Sequence, residues 1–176
     1  QQQSQATTYD EMSFEERLGL LAQHEIHCRQ DSKVKRLLRQ ATLRLEAHAS
    51  RLEYRAERGL RKDKVATLLS GQYLHHAHNI IVTGATGCGK TYFACALARQ
   101  ACEQHHTVRY YRLGQLLDEL NIGHADGSYR QQLAQLAKKK LLILDDWGME
   151  KLSARQANDL LDVMEERYQN TSTIIA

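Results

Sequence analysis

The chain has 176 residues, of which 42% are hydrophobic and 26% charged, with a net charge of +3. These proportions suit one medium domain or a domain with a helical arm, and they exclude wholesale disorder. No apolar run approaches the roughly 20 residues of a membrane helix, the Gln-rich start has no apolar signal core, and four cysteines make no disulfide framework, so a cytoplasmic protein without membrane contact is expected.

Residues 1–10 are rich in Gln, Ser and Thr and are expected to form a flexible N-terminus. Ser13 and Glu16 have capping-box spacing, and Phe14, Leu18, Leu21 and Ile26 follow at helical spacing. A second helix is expected over residues 33–48. Val34, Leu37, Leu38, Ala41 and Leu45 form one stripe of it, and Lys33, Lys35, Arg36, Arg39 and Arg44 lie on the other face. Gly59 interrupts this pattern, a short helix over 62–69 follows, and Gly71 stops it.

Charge follows the same layout. Residues 1–28 hold five acidic residues against one basic, a net of −4. Residues 29–64 hold twelve basic against five acidic, a net of +7, and residues 65–176 hold eleven of each. A basic segment beside a neutral domain points to a polyanionic partner, with a solvated helix face as the plainer alternative.

From Asn79 the pattern changes. Ile80, Ile81 and Val82 form a short β-branched run that ends in glycines, which predicts a buried strand. The order then reads helix over 91–104, strand over 108–111, helix over 113–120, loop over 123–129, helix over 129–139 and strand over 141–144. Ser153 is placed to cap a helix whose stripe is Ala157, Leu160, Leu161, Met164 and Tyr168, and residues 173–175 start a fourth strand. Strands alternating with helices predict an α/β domain with a parallel sheet.

Gly84, Ala85, Thr86, Gly87, Cys88, Gly89, Lys90 and Thr91 fit the pattern G-x-x-x-x-G-K-S/T between a strand and a helix. Its glycines let backbone N–H groups point at a phosphate chain, and the following helix adds its positive end. Lys90 is expected at the β- and γ-phosphates of ATP as a catalytic and binding residue, and Thr91 at Mg²⁺. Tyr92 completes the nucleotide-binding stretch. Asp145 and Asp146 end the third strand, where open α/β sheets bind ligands. Asp145 is expected to hold Mg²⁺ and Asp146 to orient the attacking water, although Asp is one methylene shorter than the Glu that many relatives carry there.

These runs, with residues 13–21 (SFEERLGLL), 84–98 (GATGCGKTYFACALA), 125–129 (ADGSY) and 141–148 (LLILDDWG), resemble the IstB family of transposition helper ATPases. Tyr54-Arg55 and Arg58-Gly59-Leu60 fit the same resemblance, which covers nearly the whole chain. It implies a P-loop AAA+ fold of the initiator type, close to DnaC-like helicase loaders: a parallel sheet with flanking helices, preceded by a small α-helical N-terminal domain. It also implies that the C-terminal part of the AAA+ module, with its sensor, arginine finger and lid, lies beyond this chain. Arg167 is expected on the exposed face of the last helix and not as that finger. The expected division is a flexible 1–10, a helical, basic region for DNA binding and assembly over 11–70, and the ATPase core over 71–176.

The resemblance further implies ATP-dependent assembly of a large homo-oligomer on double-stranded DNA, in the service of the transposase of the same insertion sequence. Arg58, Gly59 and Leu60 fall where related ATPases close over the adenine. The candidate DNA contacts are Lys33, Lys35, Arg36, Arg39 and Arg44, and Ser128, Tyr129 and Arg130 in the insert between the second and third strands. Their cations and hydroxyls suit phosphates better than bases. Cys88, Cys95 and Cys102 lack the paired spacing of zinc ligands and read as small buried thiols, and His75, His76 and His78 as a polar linker. Two other functions share the phosphate loop. One is a helicase loader, separated from the first by its partner. The other is a small-molecule kinase, whose acceptor pocket the sequence does not supply.

Overall fold

Ser13 opens the first helix of the computed structural model, which describes residues 12–54, 60–149 and 151–176. The Ser13 N–H donates to Glu16 Oε2 at 2.8 Å, and Ser13 Oγ accepts from the Glu16 N–H at 3.3 Å, the reciprocal capping box. Helix α1 (Phe14–Ala41) then runs for 28 residues. The two helices expected here are therefore one. Residues 27–33 contain no Gly or Pro that would end a helix. The break comes at Thr42, whose φ is 50°, and residues 42–48 are irregular instead of helical.

By packing, the described residues fall into two units, one ending at Arg36 and the other running over Leu37–Ala176. In the first, Phe14, Leu18, Leu21 and Ile26 stand exposed. In the second, the core begins at Leu37 and Ala41 and takes in Ala47 and Val65. Packing thus divides the chain at 36/37, whereas the division expected at residue 70 follows charge and role. Among the described residues no helix is long and apolar enough to cross a membrane.

The second unit continues through a 3-10 turn (Ala49–Arg51), α2 (Lys62–Leu69), α3 (Gln72–His75), β1 (Ile80–Ile81), α4 (Lys90–Glu103), β2 (Val108–Arg112), α5 (Leu113–Asp126), α6 (Tyr129–Ala137), β3 (Leu141–Asp145), α7 (Ala154–Arg167) and β4 (Ser172–Ile175). The strands form one parallel sheet in the order β1-β4-β3-β2. All five residues of β3 are buried. Leu141 and Ile143 join the cluster with Ala94, Leu97 and Ala98 of α4, while Leu142 and Leu144 join Leu116, Leu120, Leu133 and Leu160 on the opposite face. Helices on both faces are what a doubly buried parallel sheet needs.

Two helices differ from expectation. Helix α5 runs on to Asp126 and stops at Gly127, whose φ is 82°; most of the expected 123–129 loop is helix. Ser153 caps helix α7 as expected, in a capping box with Gln156, but the helix buries Asp159, Leu160, Val163 and Arg167. Leu161 and Tyr168, read as core, are 56% and 68% exposed. Apolarity misplaced this face because two polar residues share it. His124 Nε2 lies 2.8 Å from Asp159 Oδ1, and Arg167 is 2% exposed, which corrects its expected surface position.

The Arg167 guanidinium donates to Thr173 Oγ1 and to the carbonyls of Leu136, Lys139 and Ser172. It ties the end of α7 to the α6–β3 corner and to β4. Burial pushes its pKa down to about 10, which leaves it charged at neutral pH. Arg167→Met keeps much of the volume but strips these acceptors of their donors, so a stability loss on the order of 3 kcal/mol is expected. Urea denaturation checks this: the midpoint should fall at constant slope, and an unmoved midpoint would refute the strut.

Candidate functional site

The turn between β1 and α4 must reverse the chain and leave room for a ligand. Gly89 caps α4 with φ 93°, a conformation that a side chain disfavours. At Gly84 the constraint is space, since a Cβ there would meet Cys88 Sγ at 2.8 Å. The turn delivers the opening N–H groups of α4, which lack intrahelical partners, to one place. Lys90 Nζ folds back to donate to the carbonyls of Gly84 at 2.9 Å and Ala85 at 3.1 Å. Phosphate oxygens are the stronger, charge-assisted acceptors for that amine.

A cavity of about 550 Å³ opens over this turn. Gly84, Ala85, Gly87, Cys88, Gly89 and Lys90 line its polar end, and Leu52, Leu60, Val82, Tyr92 and Phe93 its apolar wall. A polar end beside an apolar wall suits a phosphorylated base. Leu60 thus lies at the wall expected for the adenine, whereas Arg58 and Gly59 are outside the described residues. Tyr92 adds a bond to its packing: its hydroxyl accepts from the His48 N–H at 3.3 Å.

Strand parity carries the second half of the site. Asp145 shares a face with Leu141 and Ile143, so it points toward α4. It is 2% exposed, accepts from Thr91 Oγ1 at 3.1 Å on one oxygen and from the Tyr110 hydroxyl at 2.6 Å on the other. Burial, then this carboxylate, pushes the Tyr110 hydroxyl pKa up, so it stays a donor. A hydroxyl and a carboxylate at one point form a hard oxygen set that fits Mg²⁺.

Asp146 has φ 59°, the left-handed region that Asp tolerates better than most residues. Two guanidiniums meet there. Arg112 Nε donates to Asp146 Oδ2 at 2.7 Å, and Arg44 Nη1 reaches the same oxygen at 3.3 Å and Asp145 Oδ2 at 3.7 Å. Arg112 and Tyr110 carry no motif. Their signal lies in the sheet: β2 pairs with β3 so that Arg112 stands opposite Asp145.

The candidate DNA residues are scattered. Lys33, Lys35, Arg36 and Arg39 are exposed on α1, and Arg130 is exposed on α6. Arg44 sits on the acidic pair. The Tyr129 ring stacks on His124 with centroids 3.8 Å apart, and its hydroxyl donates to Asp162 at 2.8 Å. Ser128 Oγ accepts from Gln132 Nε2 at 3.0 Å. Cys95 and Cys102 are buried, as read, but Cys88 is exposed.

A family model described as IstB-like ATP binding protein matches residues 1–176. An insertion sequence IS1162 putative ATP-binding protein of Pseudomonas fluorescens is 46% identical over 165 residues, spanning 93% of this chain and 71% of that one. A putative insertion sequence ATP-binding protein, y4pL, of Sinorhizobium fredii is 39% identical over 166 residues, 94% of this chain and 68% of that one. The crystal structure of the DnaC helicase loader superposes with a TM-score of 0.57 at 21% identity, over 64% of this chain and 66% of that one. The fold is thus the AAA+ type, of which this chain spans part.

The turn brings the Lys90 amine to the lining of this cavity. Lys90→Ala should weaken ATP binding by roughly 1.5–3 kcal/mol, the range of a hydrogen bond to a charged group. Calorimetric titration is the check, and wild-type affinity in the variant would move the site elsewhere.

Proposed function

The chain belongs to the family of IstB-like ATP-binding proteins, and from that premise we propose that it is an ATP-dependent, DNA-binding ATPase of insertion-sequence transposition. In this reading it hydrolyses ATP with Mg²⁺, assembles as a large oligomer on duplex DNA and assists the element's transposase in selecting target DNA. The observation that carries the enzymatic part is the 3.1 Å bond from Thr91 to Asp145. It joins residues 54 positions apart into one hard-oxygen site beside the phosphate turn.

The roles follow from position. The turn at 84–89 and Lys90 hold the phosphates, and Thr91 and Asp145 would hold Mg²⁺, which supplies charge neutralisation when bound. Asp146 orients a water and takes its proton as the water oxygen attacks the γ-phosphorus. The bond to the bridging oxygen breaks, giving ADP and inorganic phosphate. Leu52, Leu60 and Phe93 offer the base an apolar seat. The relatives' names place them in insertion sequences, which supports a transposase as partner. The likeness to the DnaC helicase loader supports the fold alone.

DNA binding rests on Lys33, Lys35, Arg36 and Arg39, with Arg130 as a second contact. None of these cations is in an ion pair among the described residues. They suit phosphates without reading bases. Assembly along a duplex would add many such contacts and raise avidity.

Two outcomes are expected. Asp146→Asn should bind ATP nearly as wild type yet hydrolyse it at least tenfold more slowly, since it removes the base and not the phosphate cradle. Steady-state turnover beside calorimetry separates these quantities, and unimpaired turnover would remove Asp146 from the reaction. For DNA, the log–log salt slope should flatten by about 0.9 for each duplex phosphate that a substitution leaves without its cation. Changing Lys33, Lys35, Arg36 and Arg39 together to Gln should lower affinity for unrelated sequences alike; a slope indifferent to all four changes would make that face merely solvated.

A further inference from the structure

Arg44, like Tyr110 and Arg112, contacts the acidic pair without belonging to the nucleotide motifs. It comes from the irregular segment after α1, 102 residues before Asp146. That segment is fastened to α4, the helix that carries Thr91. The His48 N–H donates to the Tyr92 hydroxyl at 3.3 Å, and Arg99 Nη1 lies 3.7 Å from Glu46 Oε1. Arg44 is thereby delivered to the two carboxylates from the α4 side.

Its position is that of a counter-ion. Adjacent carboxylates repel one another and attract any cation in reach. Arg112 pairs with Asp146, whereas Arg44 pairs with both acids, at 3.7 Å from Asp145 and 3.3 Å from Asp146. Its side chain is 44% exposed, so the pair is weakly held. A guanidinium keeps its proton at any working pH, so Arg44 can give up the acids only by moving.

We propose that Arg44 is the resident cation of the acidic pair, holding Asp145 in the free protein and withdrawing from it when Mg·nucleotide binds. The proposal rests on the reading of Thr91 and Asp145 as metal ligands. Arg44 competes with the metal, and loading the metal displaces its half-exposed side chain from the acids. Helix α1 ends at Ala41, three residues before Arg44, and Thr42 is already in a left-handed turn.

The test uses the full chain and a fluorescent ATP analogue. Binding is followed as Mg²⁺ is raised, for wild type and Arg44→Gln, with denaturation midpoints confirming that both are folded. The Mg²⁺ concentration at half-effect should fall roughly two- to fivefold in the variant, the scale of an exposed ion pair, with metal-free analogue affinity unchanged. Arg112→Gln, which leaves Arg44 paired with Asp145, should shift it less. Hydrogen exchange over residues 42–48 should quicken when Mg·ADP is added to wild type, and should be quick from the start in Arg44→Gln. If Mg²⁺ strengthens binding to wild type and Arg44→Gln leaves the half-point unmoved or raises it, the proposal falls alone. If Mg²⁺ does nothing for wild type, the metal reading falls and the proposal with it.

Discussion

A strand buried on both faces has no place for a charge except its end. Strand β3 meets that constraint with Leu141, Leu142, Ile143 and Leu144, and its two carboxylates follow at once. The alternation that sends Leu141 and Ile143 toward α4 sends Asp145 there as well. Thr91 occupies the first turn of α4 because the glycine turn before it is short. The 3.1 Å bond between them is thus fixed by strand parity and turn length together, and the placement of Asp145 beside the glycine turn is set by the hydrophobic core.

The same constraint explains the cations. Two carboxylates emerging from an apolar strand need compensation, and it comes from neighbours in space. Arg112 ends β2 beside β3, and Arg44 is brought in by the segment fastened on α4. Guanidiniums at the acidic pair therefore come from this chain itself. Arg167 shows the other way to bury a guanidinium: backbone carbonyls and a hydroxyl surround it, and it has no part in the site.

What the sequence made legible was local. The phosphate turn, the Ser153 cap, the helix over 62–69 and the run of apolar residues before Asp145 each follow from residues within a few positions, and the structure has them at those positions. The errors came where distant contacts decide. Helix α1 has no local stop before Thr42, so the gap between its two apolar stripes is no break in the helix. The face of α7 was misread because His124 and the α6–β3 corner recruit Asp159 and Arg167 into the interior. The partners of Asp146 were invisible until the strand order put β2 beside β3, since nothing around Arg112 or Arg44 announces an acidic neighbour.

The basic segment shows why charge along a chain is not charge on a surface. Residues 29–64 carry a net of +7, but several of their cations are engaged within the protein. Arg29 pairs with Glu25, Arg61 with Asp63, and Arg44 with the acidic pair. Among the described residues of this run, Lys33, Lys35, Arg36, Arg39, Arg51, Lys62 and Lys64 remain exposed, so the segment's total overstates the cations it offers to solvent. Because Arg44 is held by carboxylates and its exposed neighbours are not, the two kinds of cation have different surroundings. One answers to the acids of the nucleotide site. The others face solvent. A basic run that looks uniform in sequence is thus divided by its fold between the nucleotide site and the outer surface.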